Sequence, residues 1–139
     1  MIGFTGTRNG MTSQQKAAVT KILERYGSRF GALVGHGNCL GADAEFDEIA
    51  AALGLRRVIY PCNIESMRAH CELRGATQVT EPMKPLLRNG WIVGAALAMI
   101  ATPMESTEQL RSGTWATVRQ ARKKIGLPLL LVAPNGNLL

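Results

Sequence analysis

The chain has 139 residues, a length that fits one domain built around one core. Its composition, 46% hydrophobic and 19% charged, is that of an ordinary soluble globule. No apolar run approaches the roughly 20 residues that a bilayer crossing needs, which excludes a membrane-spanning helix. The formal net charge of +6 suits an anionic partner, whether a nucleotide, a polynucleotide or an acidic surface, and does not choose among them.

Ile2 to Thr5 is a short apolar run ending at Gly6 and reads as a first strand. Thr12 is placed to cap a helix, with Gln15 three residues on as its capping-box partner. Ala18, Val19, Ile22, Leu23 and Tyr26 share one face of that helix, and Gly27 ends it. Ala32 to Gly35 is a second strand, followed by the glycine-rich turn GHGNCLGAD from Gly35 to Asp43. The next helix buries Ala42, Phe46, Ile49, Ala50 and Leu53, while Glu45, Asp47 and Glu48 read as its solvated face. Arg57 to Tyr60 is a third strand, closed by Pro61.

Residues 61–84 show no clear element, as functional or mobile loops often do. A helix covers Pro85 to Ala95, and a fourth strand runs from Leu97 to Ala101. A polar loop with Glu105, Glu108 and Arg111 leads to a helix from Thr114 to Ile125, with Thr114, Val118, Ala121 and Ile125 facing inward. Leu129 to Val132 is the fifth strand. The alternation predicts an α/β, Rossmann-like three-layer sandwich: a mostly parallel five-stranded sheet with helices on both faces, in one domain spanning 1–139.

The three cysteines, Cys39, Cys62 and Cys71, form no C-x-x-C pair, so neither a disulfide framework nor a zinc ribbon is indicated. No metal and no cofactor is expected. The opening MIGFTGTRNG lacks the charged-then-apolar layout of a signal peptide, so the expected location is cytoplasmic.

In open α/β sheets, ligands bind beyond the carboxyl ends of the strands, where the strand order reverses. Three polar, glycine-containing segments fall at such ends. They are Thr5-Gly6-Thr7-Arg8, then Gly35-His36-Gly37-Asn38 through Gly41-Ala42-Asp43, then Arg111-Ser112-Gly113-Thr114. Glycine lets backbone N–H groups approach an anion, and a helix N-terminus adds favourable partial charge. Asp43 reads equally as a ribose contact or base and as a first-turn residue complementing the helix dipole. His36 reads as a general base or as a turn residue bonding the backbone. Neither G-x-x-x-x-G-K-[ST] nor G-x-G-x-x-G is present, which argues against a Walker-type NTPase and an NAD dehydrogenase.

Taken together, TGTR at 5–8, GHGNCLGAD at 35–43, Arg88-Asn89 with Ile92-Val93, and SGTW followed by TVRQAR at 112–122 resemble the SLOG superfamily. This group of short Rossmann-like domains includes the LOG phosphoribohydrolases and the DprA-type DNA-processing proteins. The resemblance implies a nucleotide-type ligand at the carboxyl edge of the sheet and a homodimer or higher homo-oligomer. It also implies that Arg88 matches the LOG arginine and Ser112-Gly113-Thr114 the end of the LOG glycine turn. Thr117 stands where those hydrolases keep a glutamate, and a hydroxyl cannot replace a carboxylate that stabilises an oxocarbenium-like centre or activates water.

The expected site is therefore Thr5, Gly6, Thr7, Arg8, Gly35, His36, Gly37, Asn38, Gly41, Asp43, Arg88, Asn89, Arg111, Ser112, Gly113 and Thr114. Arg88, Asp43 and Glu105 are the residues a hydrolase would use. The expectation is a small nucleotide-type ligand, bound by a sensor or sequestering protein. The alternative is cleavage of the N-glycosidic bond of a nucleoside monophosphate. Single-stranded DNA binding is permitted by the charge but not favoured, because only seven aromatics are present to stack on bases. No membrane partner is expected.

Overall fold

Short β-branched and aliphatic runs separated by amphipathic helical stretches fold into a single parallel sheet. The computed structural model describes residues 1–139. Strands β1 (Ile2–Gly6), β2 (Leu33–His36), β3 (Arg56–Ile59), β4 (Gln78–Val79), β5 (Ala98–Thr102) and β6 (Leu129–Leu131) lie in the order β4-β3-β2-β1-β5-β6. Every neighbouring pair is parallel. Helices α1 (Ser13–Tyr26) and α2 (Ala42–Ala52) cover one face, and α3 (Pro85–Ala95) and α4 (Gly113–Lys123) the other.

The period-two alternation of a strand decides which residue meets which layer. Ile2 and Phe4 join Val19, Leu23, Ala42 and Phe46 in the core under α1 and α2. The Phe4 and Phe46 rings stack with centroids 4.1 Å apart. Gly3 points the other way, where a Cβ would strike Met99, Ile92 and Ala96. Its lack of a side chain lets α3 lie close on β1. Trp115, Val118, Ala101 and Leu131 form the core beneath α4.

The capping box at α1 forms as its sequence indicates. Thr12 Oγ1 accepts from the Gln15 amide at 3.0 Å, and Gln15 Oε1 accepts from the Thr12 amide at 3.0 Å. Three features differ from the sequence reading. The sheet has six strands, because Gln78–Val79 adds a two-residue edge within 61–84. That strand is too short and too exposed to carry an apolar run. The same segment holds two 3₁₀ turns, Glu65–Met67 and Cys71–Arg74. Helix α4 stops at Lys123, and Ile125 is fully exposed rather than inward. Lys124 explains the stop: its Nζ donates to the carbonyls of Val93, Gly94 and Ala96 at 2.7–2.9 Å, capping the end of α3 and drawing the chain away from the helical path.

No helix is long and apolar enough to cross a membrane. The strand order reverses between β1 and β5, since β1 is followed in the chain by β2 on one side and neighboured by β5 on the other. That reversal opens a crevice at the carboxyl ends of the two strands.

Candidate functional site

A cavity of about 540 Å³ occupies this crevice. Phe4 to Arg8 leave β1 along its floor; Gly37, Cys39 and Asp43 come from the turn between β2 and α2. Pro85, Leu86, Arg88, Asn89 and Ile92 come from α3, and Glu105 with Arg111 to Thr114 from the loop and helix after β5. Close packing at glycines lets these segments converge. A Cβ at Gly6 would lie 2.5 Å from both Ala42 Cβ and Thr102 Oγ1, so only glycine lets the start of α2 sit against the end of β1. Gly41 has φ +89°, and a side chain there would strike the backbone of Arg8.

The start of α4 supplies donors. Ser112 caps the helix by accepting from the Trp115 amide at 3.2 Å, and its carbonyl accepts from Ala116 at 2.9 Å. The amides of Gly113 and Thr114 donate to no protein group, and both residues line the cavity. Unpaired first-turn amides carry the positive end of the helix dipole. Arg8 and Arg111, both exposed at the rim, make no ion pair or side-chain hydrogen bond within the chain.

Arg88 is the buried cation of the site, with 4% of its surface exposed. Its guanidinium donates to the carbonyl of Gly37, to that of Tyr60 at 3.0 Å, and to Cys39 Sγ at 3.5 Å. Its Nε donates to Asn89 Oδ1 at 2.7 Å, leaving the Asn89 amide nitrogen without a protein partner. All these partners are neutral. Arg88 therefore ties α3 to the turn after β2, and it makes no salt bridge with a carboxylate beside the cavity. A Cβ at Gly37 would come 2.6 Å from this guanidinium, which accounts for that glycine.

Two carboxylates face this cationic set. Asp43, buried in the first turn of α2, accepts from the Cys39 amide at 3.1 Å. Burial pushes its pKa above the ordinary value, against the opposing pull of His36, Arg88 and the turn amides. Glu105 accepts from Trp115 Nε1 at 3.1 Å, which orients it and satisfies a buried indole. Burial, aided by Asp43, also pushes the Cys39 thiol up, so it is a poor nucleophile.

Behind the cavity lies a second polar cluster centred on Asp47. One of its oxygens accepts from His36 Nε2 at 2.9 Å and Arg57 Nε at 2.8 Å, the other from Arg74 Nε at 2.9 Å. Asp47 is fully buried, not solvated as the helix pattern suggests. The reason lies far off in the chain, in arginines supplied by β3 and by the turn at 71–74. Burial alone would raise its pKa, but His36 and Arg57 outweigh that and hold the carboxyl below the ordinary range. His36, Asp47 and Cys71 bring their ligand atoms within 4.8 Å of one another. Two guanidiniums already engage Asp47 and the Cys71 thiol is pushed up to about 12 by burial, so this donor set does not suit a cation.

Of the residues expected from sequence, Thr5, Gly6, Thr7, Arg8, Gly37, Asp43, Arg88, Asn89, Glu105, Arg111, Ser112, Gly113 and Thr114 converge on the cavity. Gly35, His36, Asn38 and Gly41 do not line it. His36 is fully buried; its Nδ1 accepts from the Asn38 amide at 3.1 Å and its Nε2 serves Asp47, so it is no base for a ligand. Asn38 bonds Glu72 at 2.9 Å and the Cys71 amide at 2.8 Å, pinning the 71–74 turn. Thr117 is buried and donates to the Gly113 carbonyl at 3.0 Å, away from the cavity. Sequence reasoning missed Phe4, Cys39, Pro85, Leu86 and Ile92 as lining residues; Pro85, at the first turn of a helix, was the available signal.

No protein-family model and no curated protein matches the chain. Solved structures do. The molybdenum cofactor binding protein from Rippkaea orientalis superposes with a TM-score of 0.69 at 14% identity, over 95% of this chain and 75% of that one. DNA processing protein A (DprA) from Streptococcus pneumoniae gives 0.68 at 18% identity, over 94% of this chain and 49% of that one. The X-ray structure of TM1055, a structural-genomics target, gives 0.66 at 16% identity, over 94% and 72%. The chain shares the Rossmann-like fold of these three structures. At these identities the likeness is one of fold, and this chain spans about half of DprA.

Proposed function

We propose that the protein binds a phosphate-bearing nucleotide or nucleotide-derived ligand in the β1/β5 crevice, as a sensor or sequestering protein. One observation carries this reading: the cavity gathers two unpaired amides at the start of α4 and three arginines, none of them paired with a carboxylate. A phosphate would accept from the Gly113 and Thr114 amides, with Arg111 and Arg8 closing over it from the rim. Asp43 and Glu105 offer acceptors suited to a sugar hydroxyl. Phe4 is only 1% exposed, so the cavity holds no aromatic platform for stacking a run of bases, and the reading favours a small ligand over single-stranded DNA.

Titration calorimetry against nucleoside monophosphates, cyclic nucleotides and ADP-ribose tests the reading. The expected result is binding that disappears for the matching nucleosides. No heat from any of them at millimolar ligand would sink it. Native mass spectrometry of the purified protein adds an unbiased search, since a co-purified nucleotide or cofactor shows directly as added mass.

A second reading, hydrolysis of an N-glycosidic bond, is favoured by Asp43 alone. A buried carboxyl with a raised pKa suits general acid–base work, and Asp43 stands in the cavity where Thr117 does not. Release of free base from AMP or GMP that Asp43→Asn abolishes would establish it. Base release unchanged in that variant would exclude Asp43 as the acid or base.

A further inference from the structure

A second cavity lies at the opposite end of the sheet from the crevice. It measures about 290 Å³ and sits where α1 and the 3₁₀ turn after it, Gly27–Phe30, overhang the starts of β5 and β6. Strand register explains its floor. Ile2 pairs with Ala98 and Ile100 with Leu130 across parallel ladders, so all four side chains leave the sheet on the α1 face. Ile2 and Ile100 are buried, and Ala98 between them ends at its Cβ, which leaves the space above it open. Ile22, Tyr26, Phe30 and Leu130, each half-buried, wall the opening.

The lining is apolar but for one group. No acidic residue lines the cavity, and its single charge is Arg29, exposed at the rim. The Arg29 guanidinium carbon lies 5.1 Å from the centre of the Tyr26 ring, and that of Arg25 lies 5.3 Å from it. Neither arginine makes an ion pair or hydrogen bond within the chain, and the Tyr26 hydroxyl has no partner either. A guanidinium held over a ring face keeps its N–H donors free for an anion.

We propose that this cavity binds a small amphipathic carboxylate, an aromatic or medium-chain acid with its apolar body in the cavity and its carboxylate on Arg29. Size sets the body. An apolar cavity of about 150 Å³ holds one benzene ring, so one of 290 Å³ takes two fused rings or a medium-length chain. Charge sets the head, since the only ionic group at the opening is a cation without a counter-charge. A buried floor beneath half-buried walls suits an inserted molecule rather than a flat partner surface. A nucleotide does not fit the chemistry: its sugar and base edges would enter a pocket that offers no polar side chain beyond Tyr26 and Arg29 at its mouth. The two sites therefore take different ligands at opposite ends of β1, with Ile2 in the floor of one and Phe4 to Arg8 lining the other.

Methyl correlation spectra of the full chain, titrated with octanoate and separately with its uncharged counterpart octanol, test this. The expected result is saturable shifts at the Ile2, Ile22 and Ile100 methyls and none at Ile49 or Ile59, which do not line the cavity. The acid should bind about five- to tenfold tighter than the alcohol. Arg29→Ala, at an exposed side chain, should erase that difference and leave the affinity for octanol unchanged. Ala98→Phe should fill the cavity and weaken both probes, with an unchanged far-UV circular dichroism spectrum. If the ring disturbs β5, the Arg29→Ala comparison decides alone. No shift at the three methyls in millimolar octanoate overturns the proposal. Equal affinity for acid and alcohol overturns it too, because no anion is then recognised. So do shifts confined to Ile92, which place the acid in the nucleotide crevice.

Discussion

Asp43 and Asp47 stand one turn apart on α2, both buried, and the fold uses them in opposite ways. Asp47 is enclosed by His36, Arg57 and Arg74 and is held ionised, its pKa depressed. Asp43 accepts from backbone amides, has no salt-bridge partner and carries a raised pKa. A carboxylate with its charge fully answered by the protein holds a structure together. One left with unanswered charge beside a cavity is available to a ligand. The same contrast separates the arginines, since Arg57 and Arg74 are paired with Asp47 whereas Arg8, Arg88 and Arg111 have no carboxylate.

The largest expected effect comes from breaking the structural side. Asp47→Ala leaves two guanidiniums without their shared carboxylate and should cost about 3–5 kcal/mol by denaturant unfolding at neutral pH. The loss should shrink in acid. Because the folded pKa of Asp47 lies below the ordinary 3.8, its contribution is complete above that value and fades as pH falls through the lower folded value. A loss that stays constant to low pH would mean the pairing is not what stabilises.

Next comes the ligand side. Arg111→Ala should weaken nucleotide binding about tenfold, or ~1.4 kcal/mol, in calorimetry. Its melting temperature should stay unchanged, because the exposed guanidinium makes no hydrogen bond or ion pair within the chain. Ser112→Ala should cost about 1 kcal/mol of stability by removing the α4 cap. It should weaken binding as well, since the first turn presenting the free amides would fray.

Asp43→Asn is the smallest in stability and the most discriminating. A carboxyl with a raised folded pKa favours folding fully below 3.8 and loses that contribution as pH rises through the folded value. Asparagine keeps an acceptor for the Cys39 amide and has no charge to bury. Thermal melts should place the variant at or above wild type at neutral pH, with the difference narrowing toward pH 4. A variant clearly less stable than wild type at neutral pH would place Asp43 with Asp47 on the structural side.

Much of this was legible in the residues. Apolar periodicity located all four helices and five strands, and the glycine-rich strand ends pointed to the crevice that the β1/β5 reversal creates. The Asp47 cluster was not legible. Its partners come from β2, β3 and the 71–74 turn, and helical spacing alone put Asp47 on the polar side of α2. His36 was misplaced for a related reason. Its neighbours Gly35 and Gly37 suggested a ligand turn, but strand alternation sends its side chain inward to Asp47. Strand β4 escaped because its two exposed residues pair only through the backbone.

The central claim is that a phosphate sits on the start of α4, and amide chemical shifts test it most directly. A ¹⁵N–¹H correlation spectrum should be followed while a nucleoside monophosphate is titrated in, then repeated with the matching nucleoside. The account predicts large downfield shifts at the Gly113 and Thr114 amides with the phosphorylated ligand and little change there without the phosphate. Binding that perturbs other residues while those two amides stay still would contradict it.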